Sequence, residues 1–291
     1  MRILENSTLR IEIADRGAEL CSVVDKATGR ERIWTADPAV WNRHAPILFP
    51  FVGKLCGGKY RVGGREYPMK TQHGFARDMD FACAEATGEA VRHLLTASGA
   101  TKAAYPYDFS LQVSHALDRE NPRRLNIAWK VMNTGAEAML YAIGGHPGFL
   151  LPQGVNKEDC FICLPGHESV SYFSVTAEGY ALPKITRVLN PDRGLAKYQS
   201  DIPDTWIFAD QGVEEVGIAL PDGTPYVTLK CPDFPMLAVW ANPKGPFICL
   251  EPWFGRTDDD GFAGTLEDKP GMQRLEPGAA REIAYSIEFH Q

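Results

Sequence analysis

Residues 125–131 read Leu125-Asn126-Ile127-Ala128-Trp129-Lys130-Val131, with a large apolar side chain at every second position. A strand turns successive side chains to opposite faces, whereas a helix would scatter these four around its circumference, so the stretch is a β-strand with one buried face. The same period of two recurs at Leu9/Ile11/Ile13, Phe109/Leu111/Val113, Ile218/Leu220, Val227/Leu229 and Ile283/Tyr285/Ile287/Phe289, each run bounded by turn residues. Gly63-Gly64 and Asp222-Gly223 lie between apolar stretches as hairpin signals, and loops this short join antiparallel neighbours.

Helical signals are few. Asp37-Pro38 ahead of Ala39-Val40-Trp41 predicts an N-cap with proline at the first helical position, for one or two turns, and Gly194 to Gln199 predicts another turn. No linker, charge block or repeat divides the chain, so residues 1–291 are expected to form one large antiparallel all-β domain with a few short helices. The 27 Gly and 21 Pro fit many short elements joined by turns.

The 291 residues carry 30 basic against 37 acidic side chains, a formal charge of −7, which argues against a nucleic-acid or membrane-surface partner. At 44% apolar content a sizeable core is available. The opening Met1-Arg2-Ile3-Leu4-Glu5-Asn6 has no apolar leader, and the longest charge-free stretch, 138–156, is broken by glycines and prolines. A cytoplasmic chain with no membrane span is therefore expected. Seven scattered cysteines do not suggest a disulfide framework, and the Cys160/Cys163 pair lacks the second pair or nearby His that would complete a zinc set. Neither a metal nor a cofactor is expected.

Four places interrupt apolar, turn-rich sequence with polar groups, whose burial costs free energy unless function or pairing compensates. They are Thr71-Gln72-His73-Gly74-Phe75-Ala76-Arg77-Asp78, Gly144-Gly145-His146-Pro147-Gly148-Phe149, Leu250-Glu251-Pro252-Trp253, and Asp204 opening the apolar Thr205-Trp206-Ile207-Phe208. Taken singly, each has a plain reading: His146 as a satisfied core or surface group, Glu251 paired with Arg77 or Arg256, Asp204 as a turn residue, Arg77 and Asp78 as a surface ion pair. Trp41, Phe75, Phe149, Trp206, Trp253 and Phe254 lie in or beside these segments. Such rings either fill a core or stack on the C–H faces of a sugar.

At these motifs the chain resembles the aldose 1-epimerase (mutarotase) family, in particular its LacX-like bacterial branch. The resemblance rests on Arg43-His44-Ala45-Pro46-Ile47-Leu48-Phe49-Pro50, Gln72-His73-Gly74-Phe75-Ala76-Arg77, Gly144-Gly145-His146-Pro147-Gly148-Phe149 and Cys249-Leu250-Glu251-Pro252-Trp253-Phe254-Gly255, in the family's order. It implies a large antiparallel β-sandwich with a sugar cleft on its concave sheet. It further implies Glu251 as general base, His146 as general acid in its imidazolium form, His73 as the substrate-positioning histidine, and Asp204 as the candidate substrate-binding aspartate. Trp253 joins these as a substrate contact. One departure is clear: the family's Gly-Arg-x-x-Asn-Arg stretch is here Gly53-Lys54-Leu55-Cys56-Gly57-Gly58, leaving Arg43 and Arg77 as candidates to supply the missing charge.

The implied activity is interconversion of hexose anomers by ring opening and closure, with a small sugar as the only partner besides a possible second copy of the chain. Two rivals stand beside it. A hexose-6-phosphate 1-epimerase would use the same chemistry with a phosphate held by Arg43 and Arg77, and a sugar-binding module would use the pocket without turnover. A metal hydrolase built on His73, His146, Glu251 and Asp204 is weaker, since no HExxH spacing supports it.

Overall fold

The computed structural model describes residues 1–198 and 205–291. Its Arg124–Asn133 strand contains the stretch quoted above and pairs antiparallel with Phe109–Leu117 on one side and Ala280–Phe289 on the other. Trp129 stands opposite Val113 in one neighbour and Ile283 in the other, so the apolar positions of all three strands fall on one face. These strands form the middle of a nine-stranded antiparallel sheet that runs from Leu195–Lys197 at one edge to Ala82–Ala86 at the other.

An eight-stranded antiparallel sheet faces it. Its order is Ala181–Leu189, Val170–Val175, Thr205–Ala209, Met236–Trp240, Phe247–Phe254, Ile143–Gly145 and Ile47–Leu48, with Gly148–Leu150 also paired to Phe247–Phe254. Alternation decides which side chains enter the space between the sheets. Trp206, Phe208, Leu237, Val239, Ile248, Leu250 and Phe254 share one core with Leu111, Trp129, Ile287 and Phe289. The Phe149 and Phe289 rings meet across the layers at 6.3 Å. The intervening residues of the same strands, Thr205, Ile207, Ala238, Trp240, Glu251 and Trp253, must then face the other way. The antiparallel sandwich expected from the sequence is the fold observed.

The Gly63-Gly64 signal joins Lys59–Val62 to Arg65–Pro68, and Asp222-Gly223 lies in the turn between Glu215–Ala219 and Pro225–Lys230. Of the two helix expectations, the first is met at its shorter length and the second is corrected. Asp37 does cap, its carboxylate accepting from the Ala39 N–H at 2.9 Å and its carbonyl from Val40 and Trp41, but the chain leaves after that single turn. Of the segment 194–199, residues Leu195–Lys197 form a strand against Phe161–Cys163, while Gln199 lies outside the described residues. Pairing with a distant strand outweighs a local turn preference there. The one α-helix among the described residues, Gly99–Ala104, is capped reciprocally by Ser98 and Thr101.

All seven cysteines are free thiols. No helix among the described residues is long and apolar enough to cross a membrane.

Gly74 fixes the loop that carries His73. Its φ is +69°, and a Cβ there would lie 2.3 Å from the Phe49 carbonyl oxygen, which already accepts from the Phe75 and Ala76 N–H groups. Gly74→Ala is therefore expected to cost about 2–4 kcal/mol, from left-handed backbone strain plus a backbone clash. Urea denaturation measures it; a loss below about 0.5 kcal/mol would show that the loop yields.

Candidate active site

The Phe247–Phe254 strand carries the key carboxylate, and the pairing around it explains how a histidine comes to face that carboxylate. Ile143 and Gly144 pair with Phe254 and Trp253, while Gly148, Phe149 and Leu150 pair with Cys249, Ile248 and Phe247. The partner chain thus leaves the ladder beside Glu251 and rejoins it further along. His146 fills the gap, with Nε2 3.3 Å from Glu251 Oε2. Gly144 permits the close approach, since a Cβ there would sit 2.6 Å from the Trp253 indole.

Glu251, His146, His73, Arg77 and Trp253 line one cavity of about 500 Å³, joined by Trp41, Trp240, Lys54, Gln72, Asn242, Thr205 and Thr257. Trp41 lies 4.9 Å from the His146 ring and 5.4 Å from Trp240, so three rings form one wall. The Trp34 indole N–H holds the Trp41 carbonyl at 2.8 Å, and Glu19 accepts from the main chain of His44 and Ala45 nearby. Of the six aromatics singled out in the sequence, Trp41 and Trp253 reach the cavity; Phe149, Trp206 and Phe254 lie in the core, with Phe75 packed against it.

His73 has φ +67°, a conformation that costs a non-glycine residue about 1–2 kcal/mol, and neighbouring backbone holds it there. Its N–H donates to the Gly53 carbonyl at 2.7 Å while its Nδ1 accepts from the Gly53 N–H at 3.0 Å. That bond assigns the proton to Nε2 and makes His73 a neutral donor. Burial, followed by the neighbouring His146 ring and the Arg77 guanidinium, drives its pKa well below the ordinary histidine value.

Glu251 is 1% exposed. Burial raises its carboxyl well above the ordinary range, and the neighbouring Trp253 indole only partly opposes this. Burial and then the Arg77 charge push His146 down to about 3. His146 Nδ1 has no partner beyond its own main chain. These directions favour a neutral carboxyl beside a neutral imidazole in the resting site, whereas the general-acid role implied for His146 uses its imidazolium form. Leu250, the neighbour of Glu251 in sequence, points into the core between the sheets.

The two arginines part company. Arg77 lines the cavity with a buried Nε that has no hydrogen-bond partner, and its nearest carboxylate oxygen, on Asp78, is 3.9 Å away. Arg43 is outside the lining; its guanidinium donates to Asp78 at 2.6 Å and to the Arg77 carbonyl. Glu251 pairs with neither Arg77 nor Arg256, the latter binding Asp259. Asp204 lies outside the described residues.

Sequence reasoning passed over Lys54 as a cavity residue, along with Trp240 and Asn242. Lys54 Nζ donates to the Glu178 carbonyl in the loop across the cavity. Asn242 is set by a buried lysine, Lys157, whose ammonium donates to the carbonyls of Asn242, Pro243 and Gly245 at 2.9, 2.9 and 3.1 Å. The only signal for Asn242 in the sequence was its place just after an apolar strand that ends in Trp240.

A sequence model of the aldose 1-epimerase family matches residues 2–191. The plasmid-encoded protein LacX of Lactococcus lactis subsp. lactis is 29% identical over 309 aligned positions, covering 98% of this chain and 97% of that protein. A galactose mutarotase related enzyme from Lactobacillus acidophilus superposes with a TM-score of 0.92 at 32% identity, over 99% of this chain and 97% of that one. A galactose mutarotase-like protein from Lactobacillus casei gives 0.90 at 32% identity over the full length of both. A putative aldose 1-epimerase from Escherichia coli, 16% identical with a TM-score of 0.75, shares the fold over 99% of this chain and 98% of that one.

The depressed His146 pKa has a direct readout. Between the unfolded histidine value and about 3 the unfolded chain binds a proton that folded His146 refuses, so this group's share of stability is lost as pH falls through that window. The His146 ring is expected to keep neutral-imidazole NMR shifts from pH 8 to pH 5. A midpoint near 6.5 would refute the assignment.

Proposed function

The chain belongs to the aldose 1-epimerase family, and from that premise we propose that it interconverts the α and β anomers of a hexose, with Glu251 and His146 as its acid–base pair. One observation carries the reading: two proton-transfer groups 3.3 Å apart, both buried, open onto a cavity of about 500 Å³. Anomer exchange acts on two oxygens bonded to the same carbon, the C1 hydroxyl and the ring oxygen. Two adjacent groups of opposite proton preference match that demand.

Ring opening removes the hydroxyl proton to Glu251 as the ring oxygen takes one from His146. The C1–O5 bond breaks and C1 becomes an aldehyde carbon. The pair is then a neutral carboxyl and a neutral imidazole, the form that burial favours. Rotation about C1–C2 presents the other face, and closure returns each proton by the reverse path. The charge-separated and neutral pairs hold the same number of protons, so the enzyme ends the cycle as it began. Burial that stabilises the neutral pair draws the transfer toward the open-chain sugar. The Nε2–H of His73 and the guanidinium of Arg77 supply donors for sugar oxygens, and Trp41 and Trp253 offer apolar ring faces.

A specific observation supports a phosphorylated hexose as the second reading. Arg77 and Lys54 both line the cavity, the Arg77 Nε is unpartnered, and Lys54 uses one donor on the Glu178 carbonyl. A phosphate would take the remaining donors.

Polarimetry of freshly dissolved α-glucose, α-galactose and glucose 6-phosphate tests these readings. Glu251→Gln is expected to keep sugar binding and lose about 10²–10⁴-fold in kcat; near-normal mutarotation would sink the assignment. His73→Ala is expected to raise KM at least as much as it lowers kcat, and an unchanged KM would remove its positioning role. If the substrate is phosphorylated, Arg77→Ala raises KM for glucose 6-phosphate about tenfold more than for glucose. No acceleration of any of the three sugars would favour a binding module.

A further inference from the structure

Proton transfer leaves one side chain at the dyad unused. Cys249 precedes Glu251 by two residues on the Phe247–Phe254 strand, so its thiol points to the same face. It is fully buried. One ligand atom from each of His146, Cys249 and Glu251 lies within 4.8 Å of the other two. Glu251 Oε2 has no hydrogen-bond partner although it is buried. Imidazole, thiolate and carboxylate are the donor set of zinc, whose bonds of about 2.0–2.3 Å place tetrahedral ligands about 3.3–3.8 Å apart. The His146–Glu251 separation of 3.3 Å already meets that spacing.

We propose that His146, Cys249 and Glu251 form a binding site for a thiophilic divalent cation, with Zn²⁺ as the type, and that its occupancy switches the active site off. The cation bonds to His146 Nε2, the Cys249 sulfur and a Glu251 oxygen, and the thiol and carboxyl protons leave to solvent as it enters. The ion's two positive charges are then matched by one thiolate and one carboxylate. Because His146 and Glu251 line the cavity, the fourth position opens onto it for water or a sugar oxygen. With Nε2 and the carboxylate both coordinated, neither can exchange a proton with sugar. The inhibitory half rests on the acid–base reading above; the binding half does not.

The other cluster of this kind among the described residues, Asp15, Cys83 and His93, is a poorer host. Both Asp15 oxygens are held by the Arg2 guanidinium, at 2.8 and 3.0 Å, so a cation there would have to displace a cation.

The test uses the full chain, stripped with a chelator and titrated with Zn²⁺ or Co²⁺ in non-chelating buffer. Wild type is expected to bind the ion with a near-ultraviolet thiolate-to-cobalt band and to lose at least about tenfold in mutarotation at saturating Zn²⁺, reversibly with chelator. Cys249→Ala is expected to keep mutarotation within about twofold, lose the band, and resist inhibition. Cys83→Ala should behave as wild type. Zinc-edge X-ray absorption on wild type, which needs no variant to fold, should show one sulfur at about 2.3 Å. No sulfur in that spectrum, or a band that survives in Cys249→Ala or disappears in Cys83→Ala, overturns the site. A chain that binds zinc through Cys249 yet accelerates no sugar supports the site and overturns the acid–base reading together with the inhibition.

Discussion

A carboxyl group 1% exposed, in the middle of a sheet and with no Lys or Arg among the described residues within bonding distance, is the constraint the rest of this structure accommodates. An isolated buried carboxylate is too costly to keep, so the group either takes a proton or is given a base to share one with. The scaffold supplies the base. Two short strands, Ile143–Gly145 and Gly148–Leu150, pair with the strand of Glu251 on either side of it and leave a gap of two residues, His146 and Pro147, from which His146 reaches the carboxyl. Both groups stand on or between strands whose opposite faces are locked into the inter-sheet core, so their separation is set by backbone pairing and not by a mobile loop.

The fold was legible because alternation is a physical consequence of strand geometry, and the Leu125–Val131 and Ile283–Phe289 runs show it without interruption. The errors came where a local signal competed with a distant partner. The segment 194–199 has turn residues, but the exposed backbone of Phe161–Cys163 offers ladder bonds that a turn cannot use. Asp37 caps as its sequence suggests, yet nothing buries a further turn. The helix at Gly99–Ala104 escaped notice because its reciprocal cap uses Thr101 where the usual signal is Glu or Gln.

Among the candidate site residues, His73, His146 and Glu251 were visible as polar groups set in glycine, proline and apolar neighbours. Which arginine reaches the cavity was not visible. Arg43 and Arg77 carry the same charge and lie 34 positions apart, and the choice is made by Asp78, whose carboxylate holds Arg43 outside the lining. Trp41 and Trp240 form a wall only because a turn and a strand end meet in space. The resting charge of His146 was not legible for a related reason: the sequence shows the residue type, whereas burial and the charge of Arg77 bias its proton affinity.

Arg77 links the two halves of the cavity's electrostatics. Burial favours the neutral forms of Glu251 and His146, which leaves the guanidinium without an offsetting charge on the dyad, in a chain whose formal charge is −7. The same charge is the second cause, after burial, of the low His146 pKa. Oxygen-rich or anionic groups that settle against Arg77 weaken that repulsion and raise the proton affinity of His146. On the proposed reading, a ligand bound against Arg77 therefore shifts the pair toward the charge-separated form that ring opening would use. In an empty cavity burial favours the neutral form. Under the anomer-exchange reading proposed above, Arg77 would therefore act on turnover as well as on binding, because its charge is one of the two causes of the low proton affinity of His146.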